Sequence, residues 1–173
     1  MRKLTLIHLY PDLMNLYGDR GNIVALRRRC EWRGIGLDVV PVSLGDPFDA
    51  DRADIVFIGG GQDYEQGILQ DDALGGKRDA IVRAVASDVV FLAICGGYQL
   101  MGSHYLTGDG RRIECLGAID VRTEAGKQRL IGNLVFECPL LPEGVRRVVG
   151  FENHSGKTFR GPGVKPLGTV LHG

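Results

Sequence analysis

The stretch Val89-Val90-Phe91-Leu92-Ala93-Ile94-Cys95-Gly96-Gly97-Tyr98-Gln99-Leu100-Met101 constrains the chain most. Its first six residues are an unbroken apolar run of strand length, which reads as a parallel strand buried on both faces. Tyr98 to Met101 can begin a helix. One cysteine and two glycines lie between the two elements. A cysteine at a tight strand-to-helix turn is held out above the sheet edge. There it faces the first N–H groups of the helix, whose positive end favours a thiolate. Gly96 and Gly97 remove the Cβ atoms that would crowd the turn. This is the cysteine counterpart of the G-x-S-x-G nucleophile elbow. An ordinary buried core cysteine would need none of these features together, so Cys95 reads as a nucleophile.

The rest of the first half fits a sheet that carries such a turn. Leu4 to Tyr10 reads as a first strand, followed by a turn-rich connection from Pro11 to Asn22. Asn22 is placed to cap a helix over Ile23 to Trp32, with Gly34 as its stop signal and Val24, Leu26 and Cys30 on one side. Leu37 to Val42 reads as a second strand, and its Pro41 favours a sheet edge. Asp54 to Ile58 reads as a third strand and runs into Gly59-Gly60-Gly61; Lys77 to Ala86 reads as a helix. Alternating strands and helices imply right-handed crossovers and a mostly parallel sheet. The expected architecture is a flavodoxin-like, doubly wound α/β sheet with its site at the C-terminal strand ends. After Met101, glycines punctuate short β-like pieces such as Gly117 to Thr123 and Leu130 to Phe136. These read as antiparallel hairpins added to the sheet, and residues 1–173 read as a single domain.

Composition narrows the function classes. Lysine plus arginine equals aspartate plus glutamate at 21 each, so no nucleic-acid footprint is expected. No apolar run reaches the ~18 residues of a membrane span, so no transmembrane segment is expected. The first residues lead straight into a strand without a signal-peptide pattern. Cys30, Cys95, Cys115 and Cys138 are scattered without a CxxC pair, which argues against zinc and fits reduced thiols in a cytoplasmic protein.

Ala93-Ile94-Cys95-Gly96-Gly97-Tyr98-Gln99 resembles the nucleophile motif of class I glutamine amidotransferases. It is most similar to the branch holding cobyric acid synthase glutaminase domains and the glutaminase subunits of lipid II isoglutaminyl synthases. Three further stretches resemble the lipid II members: Tyr10 to Asn22, Gly59-Gly60-Gly61-Gln62-Asp63, and Phe151-Glu152-Asn153-His154. The resemblance implies that Cys95 attacks the side-chain amide of L-glutamine. It implies an oxyanion hole from the backbone N–H groups of Gly96 and Gly60, and substrate contacts from Arg129 and, more weakly, Gln99. Without the resemblance, Gly59 to Gly61 would read as a plain turn and Arg129 as a solvated surface residue.

The resemblance also implies that ammonia passes to a Mur-ligase-like synthetase subunit. That partner amidates D-glutamate of lipid II to D-isoglutamine in peptidoglycan synthesis. ATP and metal ions then belong to the partner, and no cofactor is expected in this chain. The segment Tyr17 to Asn22 is one candidate docking face. Two rival readings are a glutaminase domain for cobyric acid-type amidation and a non-catalytic structural subunit of the ligase complex.

The catalytic histidine is the unplaced member. His8 and His104 have no supporting context, and His154 reads as structural or pocket-lining. In the resembling family the base follows a late strand, and Thr169-Val170-Leu171-His172-Gly173 imitates that segment. His172 nevertheless lies only 77 residues beyond Cys95. The expectation is that the base lies beyond Gly173 and that the chain lacks its C-terminal portion. An acidic third member is not placed.

Overall fold

The computed structural model describes residues 2–16 and 18–173. Its first layer is a four-stranded parallel sheet in the order β2-β1-β3-β4. The strands are β1 (Lys3–Leu9), β2 (Gly36–Val42), β3 (Ile55–Ile58) and β4 (Val90–Ala93). Helix α1 (Arg20–Glu31) links β1 to β2. Between β3 and β4 run α2 (Asp63–Asp72), a π turn (Ala73–Lys77) and α3 (Arg78–Ala86). This order is the flavodoxin-like doubly wound pattern.

Alternation along the strands places helices on both faces. Ile7, Leu9, Val56 and Ile58 share one buried cluster with Leu69 of α2 and Ile81 of α3. Leu6 and Phe57 point the other way and meet Ile23 and Leu26 of α1. Each such side chain contributes roughly 1.5–3 kcal/mol when it leaves water, so two apolar faces per strand bind three helices to one sheet.

Several local expectations shift. Helix α1 starts at Arg20, after Asp19, rather than after Asn22, and Asn22 donates its side-chain N–H to the Asp19 carbonyl at 3.1 Å. Its inward residue is Ile23, whereas Val24 is 59% exposed. The β1 register, which places Leu6 against α1, selects that face. Strand β2 is an edge strand, as Pro41 implied. Strand β4 is an edge strand too. Phe91 and Ala93 pack on one face and Leu92 on the other, but all three are only partly buried and Val90 is 60% exposed. Helix α2 is not among the expected helices, since Gly67 interrupts its pattern. It opens on a capping box, in which the Gln62 N–H donates to Glu65 Oε2 at 3.0 Å.

A buried polar knot joins these pieces. The Tyr10 hydroxyl donates to Asp72 at 2.8 Å, the buried Lys77 ammonium pairs with the same carboxylate, and the Gly45 N–H donates to it at 2.9 Å. Burial, then the hydrogen bond to Asp72, pushes the Tyr10 phenol well above its ordinary range. Asp72 lies below its ordinary value: burial alone would raise it, but its bonds to Lys77, Gly45 and Tyr10 outweigh that.

The second half forms a separate five-stranded mixed sheet rather than hairpins added to the first. Short α4 (Gly96–Met101) leads to β5 (His104–Leu106) and β6 (Arg112–Glu114). Then come the long strands β7 (Val121–Glu137) and β8 (Arg147–Arg160), with β9 (Thr169–His172) paired to β7. The expected pieces at 117–123 and 130–136 fall mainly within β7. Its pairing with β8 slips between Ala125 and Leu130, so Gly126 to Arg129 bulge out of the ladder.

Candidate active site

Adjacent parallel strands β3 and β4 end side by side, with Ile58 opposite Ala93. Beyond them the chain makes two turns that press together. The Ile94 N–H donates to the Ile58 carbonyl at 2.9 Å, and the Gly97 N–H donates to the Gly59 carbonyl at 3.2 Å. A Cβ on Gly97 would stand 2.7 Å from the Gly59 carbonyl oxygen, and one on Gly96 would stand 2.5 Å from that of Gly61. A Cβ on Gly59 would strike the Met14 carbonyl oxygen at 2.0 Å. The glycines here are thus required by close backbone approach. The connection from β1 to α1 is packed onto the same loop. Tyr17, part of the expected docking segment, lies outside the described residues.

Cys95 occupies the point of the second turn, with φ 50° and ψ −112°. A non-glycine residue in that region is strained by roughly 1–3 kcal/mol, and such strain concentrates at functional turns. The side chain is exposed, and Gly96 contributes the first N–H of α4, which has no intrahelical acceptor. Gly60 lies across from it in the β3 loop, and its carbonyl accepts from the Leu16 N–H at 3.3 Å.

Two open clefts meet at Cys95. One, of about 590 Å³, is walled by Tyr98 and Gln99 on α4 and by Leu130, His154 and Lys157 on β7 and β8. The other, of about 400 Å³, shares Cys95, Gln99 and His154 and extends to Gln62, Arg129 and Asn153. The β7 bulge brings Arg129 here. Its Nε donates to Asn153 Oδ1 at 2.6 Å, and its Nη2 donates to the Asn153 carbonyl at 3.4 Å. Sequence-predicted Cys95, Gln99 and Arg129 therefore line one cleft, although 34 residues separate the first from the last.

Among the described residues, His154 is the histidine that shares these clefts with Cys95. Its Nδ1 lies 3.0 Å from the Gly156 carbonyl and its Nε2 lies 3.1 Å from Glu152 Oε2. Both ring nitrogens thus face acceptors, which suits an anchored wall residue better than a base. His8 is buried in β1, and burial, then Arg20, lowers its pKa. His104 Nδ1 contacts Ser103 Oγ at 3.0 Å. His172 is exposed on β9 opposite Val135 and lines neither cleft.

Gln66 was not legible in the sequence. It is buried in α2 and donates from Nε2 to Gln99 Oε1 at 2.9 Å. Its only sequence signal is its place one turn after the capping residue Gln62.

A doubly wound sheet with a cysteine elbow and a glycine loop at adjacent strand ends defines an α/β protein built for thiol chemistry at the strand C-termini. The chain belongs to the CobB/CobQ-like glutamine amidotransferase domain family, whose pattern matches residues 5–173. It is 44% identical over 172 residues to the Streptococcus pneumoniae protein named lipid II isoglutaminyl synthase (glutamine-hydrolyzing) subunit GatD, covering 99% of this chain and 65% of that relative. The Staphylococcus aureus protein of the same name is 40% identical over 173 residues, covering 100% of this chain and 68% of the relative. A cobyric acid synthase from Alkaliphilus metalliredigens is 29% identical over 130 residues, or 67% of this chain and 25% of that protein. The chain thus spans about two thirds of the length of the two lipid II relatives. Among the described residues, no helix is long and apolar enough to cross a membrane.

Proposed function

We propose that this chain is the glutaminase part of a lipid II isoglutaminyl synthase. The observation that carries the reading is the strained Cys95 elbow, pressed against the Gly59 to Gly61 loop and facing Arg129 across one cleft. The family membership and the two lipid II relatives favour this reaction over cobyric acid amidation.

In this reading Arg129 grips the α-carboxylate of L-glutamine as a planar fork. The Cys95 thiolate adds to the side-chain amide carbon. The N–H groups of Gly96 and Gly60 receive the charge that develops on the amide oxygen. The tetrahedral adduct collapses, the C–N bond breaks, and the nitrogen leaves as ammonia after taking a proton. Water then adds to the thioester carbon, the C–S bond breaks, and glutamate departs. Among the described residues, no histidine stands ready to move these protons. His154 is held by Glu152 and Gly156, and His172 lies on β9 away from the clefts.

Ammonia released here passes to a Mur-ligase-like synthetase subunit in the cytoplasm. That subunit holds ATP and metal and converts D-glutamate of lipid II to D-isoglutamine. The test measures glutamate release from glutamine by the full-length protein with and without that synthetase subunit. Partner-stimulated release that vanishes in Cys95→Ala is expected. Release that survives Cys95→Ala would sink the assignment.

A further inference from the structure

We propose that Gln66 is a positioning residue that fixes the amide of Gln99, so that Gln99 presents N–H donors to the substrate; this rests on the glutaminase reading above. Gln66 lies behind the nucleophile turn. A Cβ built on Gly96 would stand 3.1 Å from Gln66 Nε2, so the Gln66 amide packs against the backbone that follows Cys95. From there Nε2 donates to Gln99 Oε1 at 2.9 Å. A carboxamide has one accepting and one donating end. Once Oε1 of Gln99 is taken by Gln66, its Nε2 is the end left for the cleft. That nitrogen is directed toward β8, where a Cβ on Gly156 would lie 3.5 Å away, and Gln99 lines both clefts that meet at Cys95.

The cleft therefore offers a donor at Gln99 to an acceptor group on the ligand, either a carbonyl or a carboxylate oxygen. L-Glutamine carries both. A second observation sets Gln66 apart from a packing residue. It is 1% exposed, yet its Oε1 has no hydrogen-bond partner. Buried polar atoms are nearly always satisfied, and the exceptions cluster where function holds them. Leucine or methionine would fill the same space without an orphaned acceptor. An amide is retained where its N–H is needed at Gln99.

The test uses a glutamine-mimicking diazoketone, 6-diazo-5-oxo-norleucine, which alkylates a glutaminase nucleophile only after binding as substrate. Iodoacetamide is the control for bare access to the thiol. Both are followed by mass spectrometry at Cys95 in the full-length protein. Gln66→Met removes the donor. Gln66→Glu replaces the amide with a carboxylate that only accepts, so Gln99 must turn its Nε2 inward and show oxygen to the cleft. Each variant is expected to lower the saturable diazoketone labelling efficiency roughly tenfold, the effect of one lost hydrogen bond. Iodoacetamide labelling should stay within about twofold of wild type. Adding either change to Gln99→Ala should cause no further loss, because residues acting through one contact are non-additive.

Full diazoketone labelling of both Gln66 variants would overturn the inference. So would losses that add to that of Gln99→Ala, or a parallel loss of iodoacetamide labelling, which would mark Gln66 as merely holding the turn. Absence of diazoketone labelling in the wild-type protein would instead overturn the glutaminase reading, and this inference with it.

Discussion

Replacing Gly97 by alanine probes the contact between the two turns directly. The new methyl carbon would lie 2.7 Å from the Gly59 carbonyl oxygen, 2.8 Å from the Ile58 carbonyl oxygen and 2.8 Å from Ile58 Cγ2. Two of these three atoms are backbone, so no rotamer change relieves the overlap. The turns must separate. Overpacking of this kind costs about 1–3 kcal/mol, and losing the Gly97 to Gly59 hydrogen bond adds about 1 kcal/mol. The smaller entropy of an unfolded alanine returns about 0.4–1 kcal/mol. The net expectation is a destabilisation of about 1–3.5 kcal/mol, or a fall in Tm of roughly 2–14 °C for a chain of this size. Urea unfolding followed by circular dichroism should show a lower midpoint with an unchanged slope. Gly67→Ala is the matched control. Gly67 is exposed within α2, and a Cβ there meets nothing within 4 Å. Its alanine variant should gain about 0.5–1 kcal/mol. If Gly97→Ala unfolds at the wild-type urea concentration, the close approach of the two turns, and the reason for glycine after Cys95, would be refuted.

Lys77→Met should destabilise by about 1–3 kcal/mol at pH 7, because it leaves the half-buried Asp72 carboxylate without its cation. Asp72 titrates below its ordinary value of 3.8 in the folded chain. Its contribution is therefore present above about pH 4 and lost as pH falls below that; the gap between Lys77→Met and wild type, read by urea midpoints, should narrow in acid. Iodoacetamide at pH 8 should modify exposed Cys95 before buried Cys115, whose thiol burial pushes up to about 11; early labelling of Cys115, mapped by peptide mass, would contradict this packing. Arg129→Lys should raise KM for glutamine about tenfold with a smaller change in kcat, since a lysine cannot form a planar fork while also holding Asn153; an unchanged KM in steady-state kinetics would remove Arg129 from the substrate site.

Local patterns in the chain specify the parallel sheet and the tight strand-to-helix turn at Cys95. The apolar run at β1 and the runs at β3 and β4 that lead into glycines are local patterns, and steric rules translate such patterns directly into strands and turns. Pro41 marked an edge strand for the same local reason. Resemblance over the Cys95, Gly59 and Phe151 stretches then identified the family. Tertiary structure alone decided what stands opposite Cys95. The long β7 and β8 pairing joins residues far apart in sequence, and its slip between Ala125 and Leu130 is what brings Arg129 to Asn153. A ladder register depends on both strands at once, so no single window contains it. The same holds for Gln66, an unremarkable polar residue of α2 until the fold buries it against Gly96 and Gln99. It holds also for β4, which reads as fully buried by its apolar run yet lies at the sheet edge, because strand order is set by long-range pairing rather than by composition.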